Sequence, residues 1–401
     1  MRISKNLIVK PIALPLAFLM VSTFPLIFVS FILKDTVFFT HLVANLLLVA
    51  VAFIFSFLIP YSLNPFIILL RFLLRIRVRF SDPFQVTFLL ITVFIIFEVI
   101  AIVFFGKPDI FSAMIFGDGM DRRIYKTEIP LYIGLLVNNS SALCLLLIGV
   151  ILKGLVIGDV RKRLFLSFSG FFLIAFYVGS LKKSSFLILI YFILLVNGRL
   201  RGGLFKSSNI IWLVAIAPAS YLVLLSYYPD GNILGSLLSR VFLESVGTSS
   251  TFVELYQRTE PLGWDFIPSE GARLFGFSGR NLENQLFKDL FPERGERYGN
   301  FSTLSYTYAS VVFGDLGGWI FLITVFGINI QILRFLYKRY KTSDDYYDFL
   351  NFHLFSIMLF TCFVTGAFKT VTIFLLFPVS TYIYLAGFIL VREFDVHKAR
   401  S

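Results

Sequence analysis

The residues best suited to chemistry gather between positions 228 and 305, where six arginines (Arg240, Arg258, Arg273, Arg280, Arg294 and Arg297) stand against a single lysine, Lys288. The planar guanidinium makes bidentate contacts to phosphate, which an ammonium group does not. The same stretch carries ten acids, so no bulk positive field draws anions to it. Any anion binding must therefore come from individual arginines held in place. The alternative is that they form surface ion pairs with neighbouring glutamates, each contributing little.

Gly271, Gly276 and Gly279 interleave with Arg273 and Arg280. They permit tight turns and close approach of backbone N–H groups to a ligand, or simply a surface turn. Glu270 precedes this run. Glu293, Arg294, Glu296 and Arg297 follow it, then Tyr298, Ser302, Thr303, Tyr306 and Tyr308. This polar-aromatic stretch suits sugar stacking or an interfacial aromatic belt equally well. Within apolar segments the ionisable residues are Glu98 and Asp315, with Asn138, Asn139, Ser140 and Ser141 as a polar belt. Lys182, Lys183 and Lys369 cap segment ends. Such groups are costly in hydrocarbon and mark functional positions. His41, His353 and His397 fall at or near segment boundaries, and neither larger polar loop contains a histidine. There is no Cys/His cluster, HExxH pattern, Walker motif or assignable Ser-His-acid set. The expectation is no metal, no cofactor and no nucleic-acid partner.

The elements that must position these residues are membrane helices. The chain is 57% hydrophobic and 15% charged, with a mean hydropathy of +0.84. Soluble domains carry roughly a quarter charged residues. The long Phe-rich runs lack strand alternation, which argues against an outer-membrane barrel. Spans of about 20 residues are predicted at 11–33, 37–60, 84–105, 131–152, 164–180, 185–197, 209–227, 306–333, 349–366 and 370–391. The first is read as a retained span rather than a cleaved signal peptide. The fifth and sixth form a hairpin about Lys182 and Lys183. The eighth is interrupted by Gly314, Gly317 and Gly318, which predicts a broken or tilted helix. Cys144 and Cys362 both lie in apolar runs, so no disulfide is expected.

Basic residues fall in alternate connections: Arg71 to Arg79, Lys153 to Arg163, Arg199 to Lys206, Arg334 to Lys341, and the C-terminal Arg392, Lys398 and Arg400. The positive-inside rule then puts both termini in the cytoplasm. The fold class is an all-α polytopic membrane protein of about ten transmembrane helices. Residues 1–227 supply helices one to seven, 228–305 form a large external loop, and 306–401 supply helices eight to ten and a cytoplasmic tail. Apolar spacing between Ile233 and Tyr256 (Leu234, Leu237, Leu238, Val241, Phe242), with Arg240 and Glu244 on another face, predicts an amphipathic helix on the outer surface.

This layout resembles the Wzy-type O-antigen and capsular repeat-unit polymerases. So does the passage Phe291, Pro292, Glu293, Arg294, then Ser302 to Ser305, Tyr308, and Phe313 to Gly317. Related O-antigen ligases carry a histidine in the corresponding loop, and this one has none. The resemblance implies a GT-C-like membrane glycosyltransferase of the bacterial inner membrane. It would join polyprenyl-pyrophosphate-linked oligosaccharides at the outer face, beside a chain-length regulator and a flippase. On that reading Arg273, Arg280, Glu270 and Asp315 are candidate catalytic residues. Arg240, Arg294, Arg297, Lys182, Lys183 and Tyr306 are candidates for binding substrate. The alternative reading is a transporter or flippase of lipid-linked oligosaccharides, for which midplane polar groups and symmetric halves would be expected.

Overall fold

The computed structural model describes residues 34–73, 83–105, 140–157, 160–179, 183–201, 245–256, 260–266, 276, 280, 282–290, 305–343 and 346–365, besides Ile27, Phe31 and Ile32. These residues are almost all helical. The predicted spans 209–227 and 370–391, and nearly all of 11–33, lie outside them. The described helices are α1 (Thr36–Leu58), α2 (Pro65–Leu73), α3 (Pro83–Phe105), α4 (Ser140–Ile157), α5 (Val160–Gly179), α6 (Lys183–Arg201), α7 (Ser245–Tyr256), α8 (Leu282–Leu290), α9 (Ser305–Ser343) and α10 (Tyr346–Thr365). Two of them, α1 and α9, are long and apolar enough to cross a membrane.

The chain divides into two compact units. One takes Ile76–Ile233 with both terminal segments, and contains α3 to α6. There α4 packs on α5 and α6, and the thiol of Cys144, a free cysteine, donates to the Leu173 carbonyl at 3.1 Å. Glu98 on α3 is buried, 2% exposed. α6 begins at Lys183, on the C-terminal side of the expected hairpin turn.

The other unit takes Val9–Arg75 with Leu234–Tyr382, so part of the expected external loop packs with α1 and α9. α1 starts where Asp35 accepts the Phe38 amide at 2.9 Å, an N-cap that satisfies an otherwise orphaned donor. It stops at Ile59, which is extended and precedes Pro60. Its buried residues, Phe38, Leu42, Asn45, Leu48, Val49, Ala52 and Ser56, recur at helical spacing. The opposite face is also apolar, with Leu47, Val51, Ile54 and Phe57 exposed, as a lipid-facing surface would be. α1 and α9 run parallel and are fastened near their C-terminal ends. Gln331 donates to the Ile59 carbonyl at 2.8 Å and accepts from Asn64 at 2.9 Å. The Arg334 guanidinium donates to the Ser56 carbonyl at 2.5 Å and lies 3.5 Å from the Phe57 ring centroid. Beyond this point Arg339 pairs with Asp348 of α10 at 3.1 Å.

Candidate functional site

The site is built on a break in α9. Gly314 has φ of 73° and ψ of 167°, outside the helical region, a conformation costly for any residue with a Cβ. It divides α9 into a short limb up to Phe313 and a long limb from Asp315. A Cβ on Gly318 would lie 2.9 Å from the Ala309 carbonyl carbon and 3.0 Å from Ser310 N. In a straight helix residues nine apart would be about 13 Å apart along the axis, so the limbs fold against each other backbone to backbone. The short limb, Ser305 to Val312, is entirely buried. The interruption expected of the eighth span is therefore real, and it is a sharp fold rather than a tilt.

Carbonyls near the break find donors in the loop. Leu262 N donates to Val311 O at 3.3 Å and Gly263 N to Val312 O at 2.8 Å, as the end of a helix requires. Tyr308, fully buried, ties three loop segments to the short limb. Its hydroxyl donates to the Phe266 carbonyl at 2.9 Å and accepts from Leu282 N at 3.0 Å, and its ring stacks on Phe252 at 5.2 Å. Trp264, half exposed, packs edge-on against Phe313 at 4.9 Å. Arg280 N donates to the Asp265 carbonyl at 2.9 Å, and its guanidinium sits 5.8 Å from the Phe266 ring centroid. The loop segments 260–266 and 282–290 are thus fixed over the break. α7 is tied to α8 as well, through Tyr256, whose hydroxyl donates to Asp289 at 2.8 Å. Burial, and then that carboxylate, raise the Tyr256 phenol above its ordinary range. The expected amphipathic helix is described over its second part only. There Phe252 and Val253 are buried and Leu255 is exposed, while the predicted apolar face from Leu234 to Phe242 lies outside the described residues.

Where α1 meets the short limb, titratable groups converge. His41 Nδ1 lies 3.0 Å from Thr307 Oγ1, and its ring meets Tyr306 edge-on at 5.4 Å. The Tyr306 hydroxyl donates to Asp315 Oδ1 at 3.4 Å, while its ring packs on Trp319 at 5.8 Å. Asp35 caps α1 and also accepts the Ser250 hydroxyl from α7. Both Asp35 and Asp315 are close enough to act on the His41 ring by charge. Asn45, one turn along α1 from His41, is buried and its Oδ1 has no hydrogen-bond partner among the described residues. The cluster offers carboxylates, an imidazole and a phenol for proton transfer, beside aromatic faces that suit sugar rings.

Of the residues singled out from sequence, the structure brings together Tyr306 and Asp315, and holds Arg280 on the loop that covers the break. Arg240, Arg273, Arg294, Arg297, Glu270 and Lys182 lie outside the described residues, as do Asn138, Asn139 and Lys369. Lys183 opens α6, and its side chain is not among those described. No group of three or more His, Cys, Asp or Glu side chains arranged to hold a metal occurs among the described residues. Sequence reasoning passed over His41, Asp35 and Ser250. The available signal was His41 and Asn45 four residues apart within an otherwise apolar helix, a spacing that puts both on one face. Comparison with protein-family models, curated proteins and solved structures found nothing that matches this chain.

Proposed function

We propose that this chain is a multi-pass inner-membrane glycosyltransferase that polymerises polyprenyl-pyrophosphate-linked oligosaccharide repeat units at the outer face of the bacterial inner membrane. The observation that carries this reading is the cluster of Asp35, His41, Tyr306 and Asp315 beside a broken membrane helix, under the loop segments that Tyr308 fastens down. Positive-inside counting puts that end of α1 and α9 outside the cytoplasm, where a lipid-linked sugar would be presented. A hydroxyl of one repeat unit attacks the anomeric carbon of the lipid-linked chain, and the lipid pyrophosphate departs. The donor is already activated, so neither nucleotide nor cofactor is needed. What the protein must supply is compensation for the charge that develops on the leaving pyrophosphate. A fixed guanidinium from Arg273, Arg280, Arg240, Arg294 or Arg297 would contribute about 3–4 kcal/mol, by analogy with a single preorganised oxyanion donor. Lys182, Lys183 and Tyr306 are assigned to substrate binding, and Glu270 and Asp315 to proton handling. A chain-length regulator and a flippase would act beside it.

A second reading, a transporter of lipid-linked oligosaccharides, is favoured by the same break, because broken helices carry substrate sites in transporters. One experiment separates the two: deleting the gene and resolving surface polysaccharide on a gel. Loss of polymerisation leaves single repeat units on their acceptor. Complete loss of surface sugar favours transport instead, and an unchanged ladder overturns both readings. In complemented cells, Arg280→Ala is expected to abolish long chains at normal protein level.

A further inference from the structure

We propose that His41 takes the proton from the attacking sugar hydroxyl, an assignment that rests on the polymerase reading above. Four features of the geometry point to it. Thr307 Oγ1 lies 3.0 Å from one ring nitrogen, Nδ1, and Thr307 is fully buried, so it orients the ring and is not itself a nucleophile. Among the described residues the other nitrogen, Nε2, has no hydrogen-bond partner, and the ring is partly accessible. The Tyr306 ring, edge-on at 5.4 Å, limits rotation of the imidazole. Among the described residues, the carboxylates of the same cluster are Asp35, which caps α1, and Asp315, which accepts the Tyr306 hydroxyl. Among the described residues Tyr306 is the remaining titratable neighbour.

The proposed tautomer carries its proton on Nδ1, which then donates to Thr307 and leaves Nε2 as the acceptor, since the hydrogen bond at one ring nitrogen sets the role of the other. In the step itself the O–H bond of the acceptor sugar breaks and its proton moves to Nε2. The freed oxygen bonds to the anomeric carbon. The bond from that carbon to the pyrophosphate oxygen breaks, and its electron pair leaves with the lipid pyrophosphate. The imidazolium then returns its proton to water. As a residue type an imidazole is a stronger base than a carboxylate, by about 2–3 pKa units in model compounds, which suits it to proton abstraction near neutral pH.

The test uses membrane vesicles from a deletion strain that carry the full chain. The substrate is the lipid-linked oligosaccharide extracted from that same strain, and elongation is followed across pH. His41→Asn keeps a polar atom where Nδ1 meets Thr307 but cannot accept the proton. It is expected to lower the rate by about 10²–10⁴-fold at normal protein level, and to abolish the fall in rate on the acid side of the wild-type profile. Thr307→Val is expected to lower kcat while KM stays unchanged, with the acid limb retained. A wild-type rate in His41→Asn, or an acid limb that persists in it, would overturn the assignment and leave the polymerase reading standing. Failure of the wild-type chain to elongate this substrate would overturn both.

Discussion

At Asp35, one carboxylate serves two elements: it caps α1 through the Phe38 amide and holds α7 through the Ser250 hydroxyl. An N-cap of this kind is worth about 1 kcal/mol. Asp35→Asn keeps the Oδ1 acceptor for the Phe38 amide and puts an amide N–H where Oδ2 met Ser250, a donor that the hydroxyl oxygen can accept, so its thermal midpoint should stay near wild type. Asp35→Ala should lower the midpoint measurably. In a double-mutant cycle Ser250→Ala should cost less in the Asp35→Ala background than alone, and equal costs in both backgrounds would show that the two side chains are not coupled. The residue types of this cluster were legible in the sequence, but their convergence was not. His41 and Thr307 are 266 positions apart, and no local spacing rule connects positions so far apart. Tyr306 and Asp315, nine apart, were singled out separately, because nothing local said that α9 would fold back and let them meet.

At the scale of elements, the break in α9 governs the site. Had the helix run straight, Val311 and Val312 would have bonded to amides of the next turn, and Leu262 and Gly263 would have had no acceptors there. Two glycines hold the fold for different reasons, and each makes its own prediction. Gly314→Ala forces a Cβ into a positive-φ position, at a cost of about 1–2 kcal/mol. Gly318→Ala leaves φ unstrained but drives a methyl against the Ala309 backbone at 2.9 Å. Main chain cannot yield as a side-chain tip can, so overpacking should cost about 1–3 kcal/mol. Both variants are expected to lower the midpoint of heat-induced aggregation of the detergent-solubilised protein. Both should also shorten polysaccharide chains in complemented cells. If Gly318→Ala were neutral in both measurements, the limbs would not be packed as closely as the backbone indicates. The interruption was legible from Gly314, Gly317 and Gly318 in an apolar run. Its sharpness was not, because a glycine permits a positive φ without requiring one.

For the whole molecule, the proposed orientation rests on the distribution of charge along α9. Its long limb spans roughly 43 Å at 1.5 Å per residue, more than the roughly 30 Å of hydrocarbon, so Arg334, Lys338, Arg339 and Lys341 can emerge beyond one boundary. Single cysteines at Glu260 and at Lys341, both exposed, give a direct measurement. A membrane-impermeant maleimide applied to intact spheroplasts should label the first, while the second reacts only after lysis. Labelling of Lys341→Cys before lysis, with Glu260→Cys protected, would reverse the orientation and remove the polymerase reading with it.

The amino-acid sequence alone determined the helical character of the described chain and the approximate positions of its apolar helices, though α9 runs on to Ser343, ten residues past the predicted end of its span. Both follow from local patterning: solvent preference and chain geometry act on neighbours a few residues apart. It also marked Gly314 as a breaking point and Asp315 and Tyr306 as candidates. Only the tertiary structure decided that α1 pairs with α9, that loop segments bond to carbonyls beside the break, and that a histidine near the start of α1 meets a buried threonine from the far end of the chain. Those contacts depend on which apolar faces bury against which. Many helix faces of this chain are apolar enough to pack on one another, so composition and periodicity leave the pairing open. Shape and a few buried hydrogen bonds select it.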